Sequence, residues 1–289
     1  MTTRKDMNSG VKNSKAAPSE QKSWIPAILI VVAIAYVSLV LYIPALNVFI
    51  QAFSKGVGPF LANLTRPEFL HAVQLTVMLA AIALPLNTVF GLCAAWALTR
   101  HRFPGRAFVL SLIDLPFSIS PVVAGLMLVL LYGRQGWFGG WLQDRGLNVI
   151  FAFPGMVLAT AFVSMPFVAR EVIPVLEELG SDQEEAAKTL GANDWQIFWR
   201  VTLPNIRWGL LYGLILTNAR AMGEFGAVSV VSGNISGKTQ SLPLFVEDAY
   251  KQYETEAAYS AAVLLALLAV VTLVLKEILE RKTRIKDVE

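Results

Sequence analysis

The chain has 289 residues, of which 55% are hydrophobic and 16% are charged, and its mean hydropathy is +0.55. A soluble domain carries about 25% charged residues, so this composition excludes an ordinary soluble fold and indicates a membrane protein. The net charge of +3 is too small to indicate nucleic-acid binding, and a single cysteine, Cys93, excludes a disulfide framework and any zinc site built from several thiolates.

Six apolar stretches predict six membrane-spanning helices. Such a helix needs about 20 mostly apolar residues, because its backbone must satisfy its own hydrogen bonds in lipid. Five stretches contain no charged residue: 23–54, 72–99, 115–133, 146–169 and 257–275. The sixth, 208–231, is apolar except for Arg220 and Glu224. The sequence therefore predicts an all-α integral membrane protein, a six-span helical bundle with a first span at 23–54 and a five-span core at 70–276.

The positive charges predict how this bundle is oriented. Lys and Arg are in excess in the cytoplasmic loops of membrane proteins. With six spans, seventeen of them fall on the side of both termini, six fall in the opposite loops, and Arg220 lies inside a span. We therefore expect both termini in the cytoplasm, with cytoplasmic tails at 1–22 and 277–289.

The longest polar segment between spans, 170–207, has the pattern of two short helices rather than of a flexible linker. Ser181 and Glu184 fit a capping box that begins the first helix. Glu184 and Lys188 are spaced to form an i,i+4 ion pair on it. Gly191 stands where the C-terminus of a helix favours a left-handed residue, so the first helix is expected to end there.

The second helix of this segment is predicted to begin at Asn193, because Gln196 three residues later completes another capping box. It is expected to stop before Pro204. Its bulky apolar residues are Trp195, Ile197, Phe198 and Trp199. These side chains either pack against the cytoplasmic ends of the spans or form a docking surface, and composition alone favours neither, because aromatic residues suit both places.

The same segment resembles the EAA motif of ABC importer permeases. That motif is Glu-Ala-Ala, three residues, Gly, nine residues, then Ile or Val, any residue, Leu and Pro, and this sequence matches it at every position. The resemblance implies the type I ABC importer permease fold, with 181–204 as a cytoplasmic coupling loop that docks on a separate ATPase. The residues to which it assigns docking are Glu185, Ala186, Ala187, Gly191, Leu203 and Pro204.

Further segments are similar to one branch of these importers. Residues 203–207 and 218–227 resemble the sulfate and molybdate permeases, and 53–56 and 114–125 resemble the CysW-type permease subunits of sulfate/thiosulfate importers. The resemblance covers about 24–276 and implies an inner-membrane permease for sulfate or thiosulfate. The near alternative is molybdate or tungstate, and the distant one is a secondary anion transporter driven by ion gradients.

The resemblance also implies a set of partners. These are a homologous permease subunit of the CysT or CysU type, a cytoplasmic dimer of CysA-like ATPases, and a periplasmic or lipid-anchored sulfate/thiosulfate-binding protein. Membrane lipid surrounds the subunit, and no nucleic acid is expected. ATP would be used by the partner ATPase, so this chain is expected to bind no cofactor.

Arg220 and Glu224 are the ionisable residues of the fifth predicted span. They lie four residues apart, so their side chains can pair on one face of a helix. Intramembrane charges usually face the bundle interior or a water-filled path. The pair is therefore either a structural ion pair or part of the translocation path, with Arg220 attracting an oxyanion.

Catalytic and metal sites are not expected in this chain. Residues 233–239 approach a phosphate-binding P-loop, but three residues rather than four separate the two glycines, and the segment falls on the predicted external side. His71 and His101 flank the second span at opposite ends, so they cannot share a metal. We therefore predict a transport subunit that is not itself an enzyme.

Overall fold

The computed structural model describes residues 24–286, which form helices and connecting turns. The predicted tail 1–22 and the last three residues of the predicted C-terminal tail lie outside the described residues. The helices are α1 (Trp24–Val37), α2 (Ile43–Ala52), α3 (Val57–Leu64), α4 (Pro67–Arg100), α5 (Arg106–Ser118), α6 (Pro121–Tyr132), α7 (Gly139–Asp144), α8 (Phe153–Ser164), α9 (Pro166–Leu179), α10 (Asp182–Thr189), α11 (Asp194–Ile197), α12 (Leu203–Met222), α13 (Gly226–Ser232), α14 (Leu242–Lys251) and α15 (Thr255–Lys286).

The chain divides into two units, of which the first ends at Asn47 and the second begins at Val48. The first unit contains α1, a π-helical turn at Ser38–Tyr42 and the beginning of α2. The apolar segment Pro26–Ala52 has a mean hydropathy of 2.6, and its most apolar stretch is not buried inside the protein. A helix that is apolar on all sides and unburied is typical of a membrane span.

Four helical segments in the described part of the chain are long and apolar enough to cross a membrane: Pro26–Ala52, Pro67–Arg100, Phe153–Leu179 and Thr255–Thr272. Helices α5 and α6 reach that length only together, and they are bent by 111° at the break between them. The structure therefore has four such spans, or five if the bent pair counts as one. The six-span count and the cytoplasmic location of both termini remain predictions.

The fifth predicted span, 208–231, is not one continuous helix. Helix α12 ends at Met222, and α13 begins only at Gly226. The residues between them include Glu224, whose side chain is buried. The sequence places Glu224 inside this apolar stretch, and the structure interrupts the helix at that residue.

Two other helices extend beyond the spans that were predicted for them. The fourth span was placed at 146–169, but α9 continues to Leu179, so Arg170 lies inside a helix rather than in the loop. Helix α15 continues to Lys286 and includes most of the residues assigned to the C-terminal tail. The charge-free stretches stop earlier than the helices do, because a helix must be apolar only where it crosses lipid.

Helices α4, α8, α9 and α12 form the centre of the second unit through close contacts at small residues. A Cβ atom added at Gly91 of α4 would lie 2.6 Å from Cβ of Val168 in α9. One added at Gly213 of α12 would lie 2.9 Å from Cα of the same valine. Small residues let membrane helices approach closely and gain packing energy. One buried cluster at this place contains Ala95, Val168, Val172, Leu176 and Ile206.

The two interrupted helix pairs meet at their breaks. A Cβ atom added at Gly226, the first residue of α13, would lie 2.8 Å from Cβ of Pro121, the first residue of α6. One added at Gly125 would lie 2.7 Å from the carbonyl oxygen of Ala227. The first turns of α6 and α13 are therefore packed directly against each other.

Candidate functional site

Helix α10 carries the Glu-Ala-Ala triplet of the coupling loop. Glu185 and Ala186 are exposed, and Ala187 is half-buried. The helix begins where predicted, but the capping box does not form, because Ser181 makes no side-chain bond to the backbone of the first turn. Its hydroxyl instead donates to Oε1 of Glu185 at 2.6 Å.

Glu184 is held by a network that reaches outside the loop. Arg100 donates from Nε to Oε2 of Glu184 at 2.8 Å and from Nη2 to Oε1 at 3.1 Å. Thr202 donates its hydroxyl to the same Oε1 at 2.8 Å. The predicted pair of Glu184 with Lys188 is therefore wrong, and Nζ of Lys188 lies 3.0 Å from Oδ1 of Asp194.

Gly191 ends the first helix in the conformation that its position predicts. Its φ is +85°, in the region that favours glycine. The backbone N–H of the next residue, Ala192, donates to the carbonyl of Ala187 at 3.1 Å and closes the turn. An added Cβ would meet nothing within 4 Å, so backbone conformation rather than space requires the glycine.

The second capping box is confirmed, but the helix that it begins does not stop before Pro204. The N–H of Gln196 donates to Oδ1 of Asn193 at 2.8 Å, and the N–H of Asn193 donates to Oε1 of Gln196 at 3.0 Å. A π-helical turn at Phe198–Thr202 then leads directly into α12. Pro204 is the second residue of α12, directly after the π-helical turn, so it has no N–H to donate to that turn.

The loop exposes an apolar surface. Trp195 is 70% exposed and Leu190 is 88% exposed. The rings of Trp195, Phe198 and Trp199 contact one another with centroids 5.4 to 6.2 Å apart. Ile197 is buried and fixes this aromatic cluster to the protein. Of the two roles left open for these residues, the exposure favours a docking surface.

The six residues assigned to docking lie on this one loop. Glu185, Ala186, Gly191 and Pro204 are exposed, and Ala187 and Leu203 are half-buried. The four exposed residues therefore lie at the surface of the chain, where a partner protein could reach them.

Arg220 and Glu224 form an ion pair at the broken fifth span. Nη2 of Arg220 lies 2.9 Å from Oε2 of Glu224, and their side chains are 32% and 1% exposed. Oε1 of Glu224 accepts the backbone N–H of Ala227 at 2.8 Å. Glu224 thus caps the N-terminus of α13, where a carboxylate is favourable. The arginine is the partly exposed member of the pair.

Two ion pairs were not predicted from the sequence, because the partners of each pair are distant in the chain. Arg100 and Glu184 are 84 positions apart. Arg170 was counted only as a cytoplasmic charge, but its Nε donates to Oδ1 of Asp114 at 2.6 Å and ties α9 to α5. In the sequence, none of these four residues has its partner nearby, so no local pattern indicates either bond.

The segment 233–239 is a turn between α13 and α14, so a helix rather than the strand of a P-loop fold precedes it. The hydroxyl of Thr239 donates to the carbonyl of Ser232 at 2.7 Å, which folds the segment back on itself. Within 24–286 there is no group of three or more His, Cys, Asp or Glu that could hold a metal. The predictions that no cofactor or metal binds here stay predictions.

Comparison with known proteins places this architecture in a family. Residues 87–285 match the family described as "Binding-protein-dependent transport system inner membrane component". The chain belongs to this family. Together with the apolar helices, the match confirms a multi-pass protein of the inner membrane.

Two relatives confirm the similarity to CysW-type permeases. The "Sulfate transport system permease protein CysW" of Synechocystis sp. is 69% identical over 256 residues, which are 89% of this chain and 93% of the relative. The protein of the same name from Escherichia coli is 53% identical over 270 residues, which are 93% of this chain and 92% of the relative.

A solved structure confirms the predicted permease fold. A chain from a bacterial ABC transporter involved in the import of the acidic polysaccharide alginate has a TM-score of 0.77 to this protein at 17% identity. The match covers 90% of this chain and 96% of that chain. At this identity it shows the fold alone, which is the type I ABC importer permease fold.

Proposed function

We propose that this chain is a permease subunit of an ATP-driven importer for sulfate or thiosulfate, and that loop 181–204 docks it on a cytoplasmic ATPase. The observation that carries the docking proposal is the exposed apolar surface of Leu190 and Trp195, placed directly beside the EAA triplet. Aromatic residues are enriched in the cores of protein interfaces, and exposed apolar patches commonly mark such interfaces.

The chemistry of α10 suits a close contact. Small residues at Ala186 and Gly191 would let the backbone of a partner approach, and the exposed Glu185 would set the register through a cationic partner. Gly191 holds the turn that separates α10 from the aromatic cluster. The loop would then fit a cleft of the ATPase as one preformed unit.

Sulfate or thiosulfate is the proposed cargo, because relatives that are 69% and 53% identical to this chain are sulfate transport permeases. The chain would form the translocation path with a homologous permease subunit, and a periplasmic binding protein would deliver the anion. The proposed topology has six spans and both termini in the cytoplasm. Helix α12 and the short α13 together form the fifth span.

Arg220 is the residue proposed to meet the anion. Its guanidinium is partly exposed, whereas Glu224 is buried and bonded to the first turn of α13. Glu224 would hold Arg220 in place and reduce its attraction for the anion, so that the anion can leave again. Closure of the ATPase dimer would move the loop and the helices attached to it as rigid bodies.

Purification of the tagged chain from its native membrane tests the proposal. We expect an ATPase and a second permease to purify with it. In vesicles that contain the complex, we expect sulfate uptake to require ATP on the side that the ATPase faces. Trp195→Asp should remove the ATPase while the chain stays in the membrane. Uptake that persists without ATP under an ion gradient would contradict the proposal and favour a secondary transporter. Uptake of molybdate in place of sulfate would contradict the assigned cargo.

A further inference from the structure

Helix α10 is attached to the rest of the protein in an unusual way. None of its eight residues is buried, so it has no apolar anchor of its own. Apart from the exposed ion pair of Lys188 with Asp194, which joins α10 to α11 inside the loop, two side-chain contacts of the described residues connect α10 to other helices. Gln183 accepts a bond from Nδ2 of Asn205 at 2.6 Å, and this contact is exposed. The second contact is the network of Glu184 with Arg100 and Thr202.

This second contact is shielded and well bonded. The side chains of Arg100 and Glu184 are 12% and 15% exposed, and Thr202 is buried. Nη1 of Arg100 also donates to the carbonyl of Leu176, near the end of α9, at 3.1 Å. A bidentate guanidinium–carboxylate pair fixes both distance and orientation. One carboxylate therefore joins α10 to the ends of α4 and α9 and to the π-helical turn before α12.

We propose that Arg100, Glu184 and Thr202 form the connection through which movement of α10 is transmitted to α4, α9 and α12. The proposal rests on the proposed function, since it requires an ATPase that moves α10. Arg100 and Glu184 act here as positioning residues: they touch neither ATP nor the anion. Their role is to make the loop and the spanning helices move together.

The burial of the pair explains why it can carry force. Pulling the two groups apart would leave two charges in a poorly solvated place, which is strongly unfavourable. The other ion pairs at this end of the protein are more exposed, such as Arg106 with Glu177 at 40% and 52%. Water can replace either partner of an exposed pair, so such a pair resists separation weakly.

A double-substitution cycle separates transmission from simple stability. Arg100→Gln and Glu184→Gln each leave one buried charge without its partner, so each alone is expected to lower the amount of intact complex. The double variant has no uncompensated charge and is expected to recover assembly, ATPase binding and ATP hydrolysis. It still lacks the bidentate connection, so we expect anions transported per ATP to fall roughly threefold or more, as for residues that carry coupling.

Arg106→Gln is the matched control, because it breaks an exposed pair at the same end without touching α10. It should leave the transport-to-hydrolysis ratio unchanged. A double variant that transports with the normal ratio would overturn the inference, since the pair would then serve stability alone. A double variant that loses the ATPase would also overturn it, because the pair would shape the docking face instead. Absence of any ATPase from the unmodified complex would overturn the proposed function as well.

Discussion

Substitution of Gly191 tests why docking of the ATPase needs a glycine, because backbone strain and steric bulk predict different results for different side chains. Its φ of +85° is unfavourable for a residue with a Cβ atom. Because an added Cβ meets nothing within 4 Å, the cost of a substitution in the isolated chain is conformational alone. That cost is about 1–2 kcal/mol for most residues, and larger for a β-branched one. Asparagine tolerates this region best among the side-chain-bearing residues.

Gly191→Asn and Gly191→Val therefore form a matched pair, because their side chains are similar in size. If the left-handed turn is what docking requires, the asparagine variant should keep most of the bound ATPase. The valine variant should lose about tenfold or more in ATPase affinity, since each 1.4 kcal/mol is a factor of ten. The assay is binding of the purified ATPase to the permease in detergent, with membrane insertion followed separately.

Three results would refute this reasoning. Equal and severe loss in both variants would mean that bulk at the docking face, not the turn, excludes the ATPase. Unchanged ATPase binding by the valine variant would mean that the turn is not needed for docking at all. Loss of membrane insertion in either variant would contradict a role confined to docking.

Three other predictions follow from single contacts. Trp195→Ala should reduce binding of the ATPase without changing the thermal stability of the chain, and unchanged binding would contradict the docking surface. Arg220→Gln should raise the anion concentration for half-maximal uptake, and unchanged uptake rates and saturation would show that the residue makes no anion contact. Gly91→Ala should lower stability by about 1–3 kcal/mol through overpacking against Val168, whereas Gly140→Ala, which meets no atom within 4 Å, should not.

The sequence predicted best those features whose causes lie within a few residues. The second capping box joins Asn193 and Gln196, which are three positions apart, so the pattern alone reveals it. The left-handed turn at Gly191 is equally local. The apolar stretches gave the positions of α4 and α15 because lipid imposes the same requirement on every residue of a span.

Contacts between distant parts of the chain could not be predicted in this way. Glu184 has a suitable cation at i+4, but the structure uses Arg100 instead, because that arginine reaches it from α4 with two hydrogen bonds in a shielded place. The hydroxyl of Thr202 adds a third bond. A surface i,i+4 pair contributes only about 0.2–0.5 kcal/mol, so tertiary contacts readily replace it.

The breaks in the third and fifth predicted spans lie at one place in the fold, and this place bears on the translocation path. Both spans are interrupted where Pro121 and Gly226 pack together. Irregular backbone at membrane depth persists only where protein buries it or water reaches it. Arg220 lies beside this region with its side chain 32% exposed, and a guanidinium facing lipid would be costly. The proposed path is therefore best placed along these two breaks, where a partner subunit would complete its wall.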